Sequence, residues 1–278
     1  MFEIIKAIVL GIVQGATEFL PVSSSGHLVI VPWLLGWQPG DLLFDTILHW
    51  GTLVSIALVF WADFVRIIRA TLTSLARRSL ADPNARLGWW IVLATIPAAA
   101  SGLLLKDSIE ELFHSPVTAG TFLFVTAALL LGSEWLARRG SSHTTLNRLS
   151  LADAILIGLA QAVALAPGIS RSGSTIAAGL ARGLRRDEAA RFSFLLGTPA
   201  FLGAGLLQLA DVLGTDPSAL TVQAPALLAG FVASAIAGLV AIRFLLAYLR
   251  RRTLYPFAFY CIALGIVVLL VNGLQLRY

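Results

Sequence analysis

The chain has 278 residues, 58% of them hydrophobic and only 13% charged, with a formal net charge of +5. A water-soluble domain carries roughly a quarter charged residues, so this composition excludes a soluble globule, and several stretches approach the ~20 apolar residues that cross a bilayer as a helix. In such a protein the placement of the basic residues matters more than their sum, and the positive balance does not point to nucleic acid.

The first apolar stretch, Ile4–Leu35, is interrupted at Pro21-Val22-Ser23-Ser24-Ser25-Gly26. It does not read as a cleaved signal, because Lys6 is a poor basic region, no A-x-A pattern follows and Glu18 comes at once. Three uninterrupted spans follow at Leu42–Trp61, Leu87–Leu105 and Val117–Leu136. A second broken stretch, Leu151–Ala181, is interrupted at Pro167-Gly168-Ile169-Ser170-Arg171-Ser172-Gly173. Three further spans are predicted at Phe192–Leu213, Ala224–Leu246 and Tyr255–Val271. Cys261 is the one cysteine, so neither an intrachain disulfide nor a cysteine metal site is possible, and it reads as apolar filler.

Sixteen of the twenty basic residues fall in four clusters, at 66–86, 138–148, 182–191 and 243–252. Basic loops face the cytoplasm. Only the second broken stretch separates the clusters at 138–148 and 182–191, so it must enter and return on one side as a re-entrant hairpin. Both chain ends then fall outside.

Gln14 and Gln161 lie 147 residues apart, as do Ser23 and Ser170, and Gly26 and Gly173. Gly51-Thr52 recurs as Gly197-Thr198 at an offset of 146. Each half is a re-entrant hairpin followed by three spans, an odd number, so the second half lies inverted relative to the first. The expected fold is an all-α integral membrane protein with six transmembrane helices plus two re-entrant helical hairpins in an inverted-topology repeat. It is one membrane domain, with a first repeat over 1–140 (hairpin 4–35) and a second over 150–278 (hairpin 151–181). Inverted repeats of this kind place their site near the midplane, between discontinuous helices.

The breaks carry the chemistry. Irregular backbone survives at membrane depth only inside protein or beside a water-filled cavity. Glycine permits close approach to a ligand, and exposed amides at a helix start bind anions, so two converging helix starts suit a phosphate. Gln14 and Glu18, four residues apart, share a helix face. A carboxylate inside a membrane is a functional candidate by default. Ser24 and His27 are three apart, so the imidazole can serve the hydroxyl as a base. Arg171 is the lone basic residue deep in the membrane, and its planar fork suits phosphate oxygens. Ser23 and Ser25 are also natural helix caps. His49 reads as a packing or supporting residue; His114 and His143 fall in loops, and Asp107, Glu110 and Glu111 form an acidic outer loop. Trp89-Trp90 and the Tyr255 region read as interfacial anchors.

These residues resemble a known family. Gln14-Gly-Ala-Thr-Glu18-Phe-Leu-Pro-Val-Ser-Ser-Ser-Gly-His27 and Pro167-Gly-Ile-Ser-Arg171-Ser-Gly173 are similar to the two signature motifs of undecaprenyl pyrophosphate phosphatases of the bacitracin-resistance type, and the resemblance covers essentially the whole chain. It implies hydrolysis of undecaprenyl pyrophosphate to undecaprenyl phosphate and inorganic phosphate. That reaction recycles the lipid carrier of cell-wall (peptidoglycan) synthesis and confers bacitracin resistance. It also implies a bacterial inner-membrane location with the site open to the periplasm, contact with membrane lipids and a polyprenyl pyrophosphate substrate; a homodimer is compatible with it.

Carried over by position, the catalytic residues would be Glu18, Ser24, His27 and Arg171. Ser24 would be the nucleophile with His27 activating it, or His27 would itself be the nucleophile. Arg171 would hold the pyrophosphate. Gln14, Ser23, Ser25, Gly26, Ser170, Ser172 and Gly173 would line the phosphate pocket. Glu18, with Gln14, would orient the reacting group or a divalent cation (Mg or Ca). Because position 14 is glutamine here, only Glu18 supplies a carboxylate in the first motif.

Two other classes compete. Inverted repeats with broken helices also suit a lipid-phosphate flippase or transporter, but Ser24 beside His27 has no use in pure translocation. An intramembrane serine protease would give Arg171 nothing to do.

Overall fold

A computed structural model describes residues 1–140, 144–215 and 223–274; His143 and the Glu110 side chain, both named above, lie outside what is described. Among the described residues the structure is helical, with only an isolated bridge between Thr144 and Leu184. In chain order the helices are α1 (Phe2–Phe19), α2 (Ser24–Leu35), α3 (Leu42–Arg77), α4 (Pro83–Leu104), α5 (Lys106–Leu112), α6 (Pro116–Arg139), α7 (Leu151–Val163), α8 (Arg171–Ala181), α9 (Arg186–Thr215), α10 (Ala224–Leu249) and α11 (Tyr255–Gly273).

Six of them, α3, α4, α6, α9, α10 and α11, are long and apolar enough to cross a membrane. They match the six predicted spans, but α3 runs to Arg77 where the sequence suggested Trp61, and α9 begins six residues before Phe192. Hydropathy finds only the apolar core of a helix. Beyond Trp61 an amphipathic pattern continues the backbone hydrogen bonding past a kink at Phe60 (φ −106°, ψ 17°).

Both broken stretches fold back on themselves. At the open end of the first, Phe2 at the start of α1 meets Trp37 just past α2, edge to face at 6.0 Å. At the open end of the second, Arg182 after α8 donates to Asp153 in the first turn of α7 at 2.6 Å. The shorter helices, α2 with 12 residues and α8 with 11, reach only about 16–18 Å at 1.5 Å per residue, against the ~30 Å of a bilayer core.

Each hairpin leans on a helix from the other half of the chain: α1 packs along α10, and α7 along α4. Small residues make both contacts close. A Cβ on Gly11 of α1 would strike the carbonyl of Gly230, and one on Gly158 of α7 the carbonyl of Ala94. Gly11 and Gly158 are again 147 residues apart. Close backbone approach at small residues is the usual way helices associate where both sides of the interface are equally apolar. Between the hairpins α3 packs on α9, and α6 on α11.

At the arginine-rich end, buried Glu134 of α6 accepts Arg186 of α9 through both oxygens (2.9 and 2.6 Å) and the Leu254 amide before α11 (2.8 Å). Asp63 of α3 pairs with Arg191 of α9 at 2.9 Å. α3 just past its kink, the end of α6 and the start of α9 are thereby fixed to one another, and the two hairpin tips meet in the interior.

Candidate active site

The two tips are joined back to back. Ser23 is the N-cap of α2, and its backbone sits at φ 71°, ψ 93°. For a residue with a Cβ this costs roughly 1–3 kcal/mol and persists only where the surroundings over-determine it. Here they do: the Ser23 hydroxyl accepts from the amides of Gly26 (3.3 Å) and Gly168 (3.1 Å). Its carbonyl accepts from the His27 amide (3.1 Å) and from His27 Nδ1 (2.7 Å).

In the second tip Gly168 sits at φ 92°, where only glycine is unstrained, and a Cβ there would strike the Ala119 carbonyl. Thr126 of α6 clamps this turn, donating to the Gly168 carbonyl and accepting from the Ser170 amide, both at 2.8 Å. Ser170 caps α8 by accepting from the Gly173 amide at 3.0 Å, and the Ser172 hydroxyl reaches across to the Leu20 carbonyl at 3.2 Å. Gly26 lies against Gly168, where a Cβ would come within 3.0 Å of the Gly168 Cα. Each capping serine satisfies the third amide of its helix, so the first two amides of α2 and of α8 remain as donors at the junction.

Glu18 is the hub of this junction and is only 4% exposed. Its Oε2 accepts from the Ser24 hydroxyl at 2.6 Å and from Gln14 Nε2 at 2.8 Å, and its Oε1 accepts from Arg171 Nη2 at 3.1 Å. The shared face of Gln14 and Glu18 is thus realised. Arg171 lies over the Phe201 ring, its Cζ 3.8 Å from the centroid. Gly197 makes room for it, because a Cβ there would overlap Nη1. Nε and Nη1 of Arg171 are buried with no hydrogen-bond partner in the protein, so the guanidinium is anchored on one edge and retains donors that the protein does not engage.

The pairing of Ser24 with His27 expected from their spacing is not formed. The Ser24 hydroxyl turns to Glu18. The imidazole is buried, with Nδ1 on the Ser23 carbonyl and Nε2 on the Tyr260 hydroxyl at 2.7 Å. Three residues apart at a helix start, the two side chains could meet, but each is held by another partner, Ser24 by Glu18 and His27 by the Ser23 carbonyl and Tyr260. Ser25 lies beside Ser23, 3.3 Å between hydroxyls, and does not reach Glu18.

His49, read as a packing or supporting residue beside the Gly51-Thr52 repeat, takes the supporting place: its Nε2 lies 3.8 Å from Glu18 Oε2, with Nδ1 held on the Asp45 carbonyl at 2.7 Å. Two residues of the site, Thr126 and Tyr260, were not identified from the sequence. Thr126 and Tyr260 lie within apolar spans, and nothing local distinguishes them. The acidic outer segment is not a loop: Asp107 and Glu111 lie on the short helix α5, where polar residues continue the backbone hydrogen bonding beyond α4, and both are exposed, as is His114 just after it.

The donor set does not build a divalent-cation cage by itself. Calcium and magnesium take six or more oxygen ligands, whereas Glu18 is the one carboxylate at the junction and both its oxygens are already engaged, one by a guanidinium. Among the described residues no three His, Cys, Asp or Glu side chains cluster as a metal site.

A family model described as bacitracin resistance protein BacA matches residues 7–267. An undecaprenyl-diphosphatase of Methanosphaera stadtmanae is 46% identical, covering 98% of this chain and 99% of its own. Proteins of the same name from Thermomicrobium roseum and Pelotomaculum thermopropionicum are 47% and 43% identical, each over 96% of this chain.

Proposed function

The chain belongs to the bacitracin resistance protein BacA family, and from that premise we propose that it hydrolyses undecaprenyl diphosphate to undecaprenyl phosphate and inorganic phosphate. The observation that carries this reading is the convergence of Ser24, Glu18 and Arg171 where the two tips meet. It joins a hydroxyl nucleophile, a carboxylate already accepting its proton and a guanidinium with free donors. Phosphoryl transfer asks a protein mainly for positioning and charge stabilisation, and this set supplies both.

In the proposed cycle the polyprenyl tail stays in lipid and the diphosphate enters between the helix starts. Arg171 and the first amides of α2 and α8 hold its oxygens. The Ser24 oxygen attacks the terminal phosphorus, Glu18 takes the hydroxyl proton, and the bond from that phosphorus to the bridging oxygen breaks, releasing undecaprenyl phosphate. Water then attacks the phosphoserine. The phosphorus–Ser24 bond breaks, the serine oxygen regains a proton, and inorganic phosphate leaves.

The hairpins enter and return on the same side, the first from outside and the second from the cytoplasm, so that the halves form an inverted repeat. The folding back of each hairpin and the arginine clusters at one end support this orientation, and with it a site open to the periplasmic face of the bacterial inner membrane. Purified protein in detergent, supplied with undecaprenyl diphosphate, is predicted to release inorganic phosphate. Lipid transfer across vesicles without phosphate release would instead favour a flippase.

A further inference from the structure

Tyr260 belongs to the last transmembrane helix, α11, yet its hydroxyl lies 2.7 Å from His27 Nε2 and its ring is parallel to the imidazole within 6°. The other ring nitrogen of His27 faces the Ser23 carbonyl, which can only accept, so Nδ1 carries the proton. In the neutral ring Nε2 then has the lone pair, and the Tyr260 hydroxyl donates to it. A chain of oriented hydrogen bonds therefore runs from Tyr260 through His27 to Ser23.

It ends on the one strained turn of the site. Ser23 sits at φ 71° and is followed directly by Ser24. The Ser23 carbonyl takes two donors from His27, one backbone and one side chain, and its orientation sets the direction in which Ser24 leaves the turn. The neighbouring Cys261 thiol faces the Pro21 carbonyl at 3.9 Å, so α11 lies along this break over two successive residues.

We propose that Tyr260 is a positioning residue: through His27 it locks the Ser23 carbonyl and so holds the Ser24 oxygen against Glu18. On this assignment His27 serves as a strut. It does not remove the proton from Ser24, because both its nitrogens are committed and Ser24 is bonded to Glu18. The catalytic part of the inference rests on the phosphatase reading; the mechanical part does not.

The test is Tyr260→Phe, which keeps the ring and removes only the hydroxyl, studied beside His27→Gln, the double variant and a Cys261→Ala control. Phosphate release from undecaprenyl diphosphate is measured with backbone hydrogen exchange over residues 20–30. Loss of one oriented hydrogen bond should lower kcat roughly 10-fold while leaving KM within about twofold, since Tyr260 touches no substrate group in this scheme. The double variant should be no slower than His27→Gln, because both changes cut one chain. Exchange should quicken in the Ser23–His27 turn of Tyr260→Phe and not in Cys261→Ala, whose turnover stays parental.

Parental kcat in Tyr260→Phe, or additive losses in the double variant, would overturn the proposal. A parent that releases no phosphate would sink the phosphatase reading, and exchange would still decide the strut: an unaltered Ser23–His27 turn in Tyr260→Phe overturns it. Were Tyr260→Phe to fold poorly, His27→Gln carries the same exchange test with Tyr260 intact.

Discussion

The hydroxyl of Ser24 points at Glu18, 2.6 Å from Oε2, although His27 lies only three residues further along the same helix. A nucleophile needs a base within hydrogen-bond reach, and in the proposed mechanism the carboxylate fills that place. Glu18→Gln keeps the shape and can still accept a hydrogen bond, but it cannot take up the proton. Its kcat for phosphate release should fall by roughly 10²–10⁴-fold, the usual worth of a general base, with the variant still monodisperse in detergent.

Arg171 and Gly197 form a second dependent pair. Gly197→Ala places a methyl group where Nη1 lies and pushes the guanidinium off Glu18 and Phe201. Displacing a charged clamp by about an ångström costs on the order of 10²-fold in rate. That loss should appear in kcat/KM, and Arg171→Lys should show a comparable one, because a point charge cannot reproduce the planar fork.

Thr126 holds two backbone groups of the second tip through one oxygen. Thr126→Val strands a buried carbonyl and a buried amide, each costing roughly 1–3 kcal/mol. Thermal unfolding in detergent should show a clear drop for Thr126→Val and a much smaller one for Thr126→Ser, which keeps the hydroxyl. Phosphate release should follow the same order, because the turn that carries Arg171 loosens with its clamp.

The close seams α1–α10 and α7–α4 allow no added volume. Gly158→Val would force α7 away from the Ala94 carbonyl, and overpacking of this kind costs about 1–3 kcal/mol. A melting temperature lower by several degrees is expected, together with reduced activity, since α7 carries the second tip.

How far the sequence could be read follows from which contacts are local. The apolar runs, the two breaks and the Gln14–Glu18 face depend on residues within a turn or two of each other, and each appears in the fold. The 147-residue offset also marks the Gly11 and Gly158 seams, a signal present in the sequence. Tyr260 reaches His27 across 233 residues, and no periodicity in α11 sets it apart from other lipid-facing aromatics. Thr126 reads as one hydroxyl among several in apolar helices, and its role exists only once α6 meets the second tip. The Ser24–His27 pairing failed for the opposite reason: spacing gave proximity along α2, while side-chain direction was decided by Glu18 and Tyr260 from other helices.

The most direct test is to quench a single turnover of undecaprenyl diphosphate labelled in its terminal phosphate and locate the label on the protein. Transfer to Ser24 predicts an acid-stable phosphate ester on the peptide containing that residue, absent from Ser24→Ala and formed far more slowly by Glu18→Gln. An acid-labile label on His27, or phosphate release at the parental rate by Ser24→Ala, would contradict it.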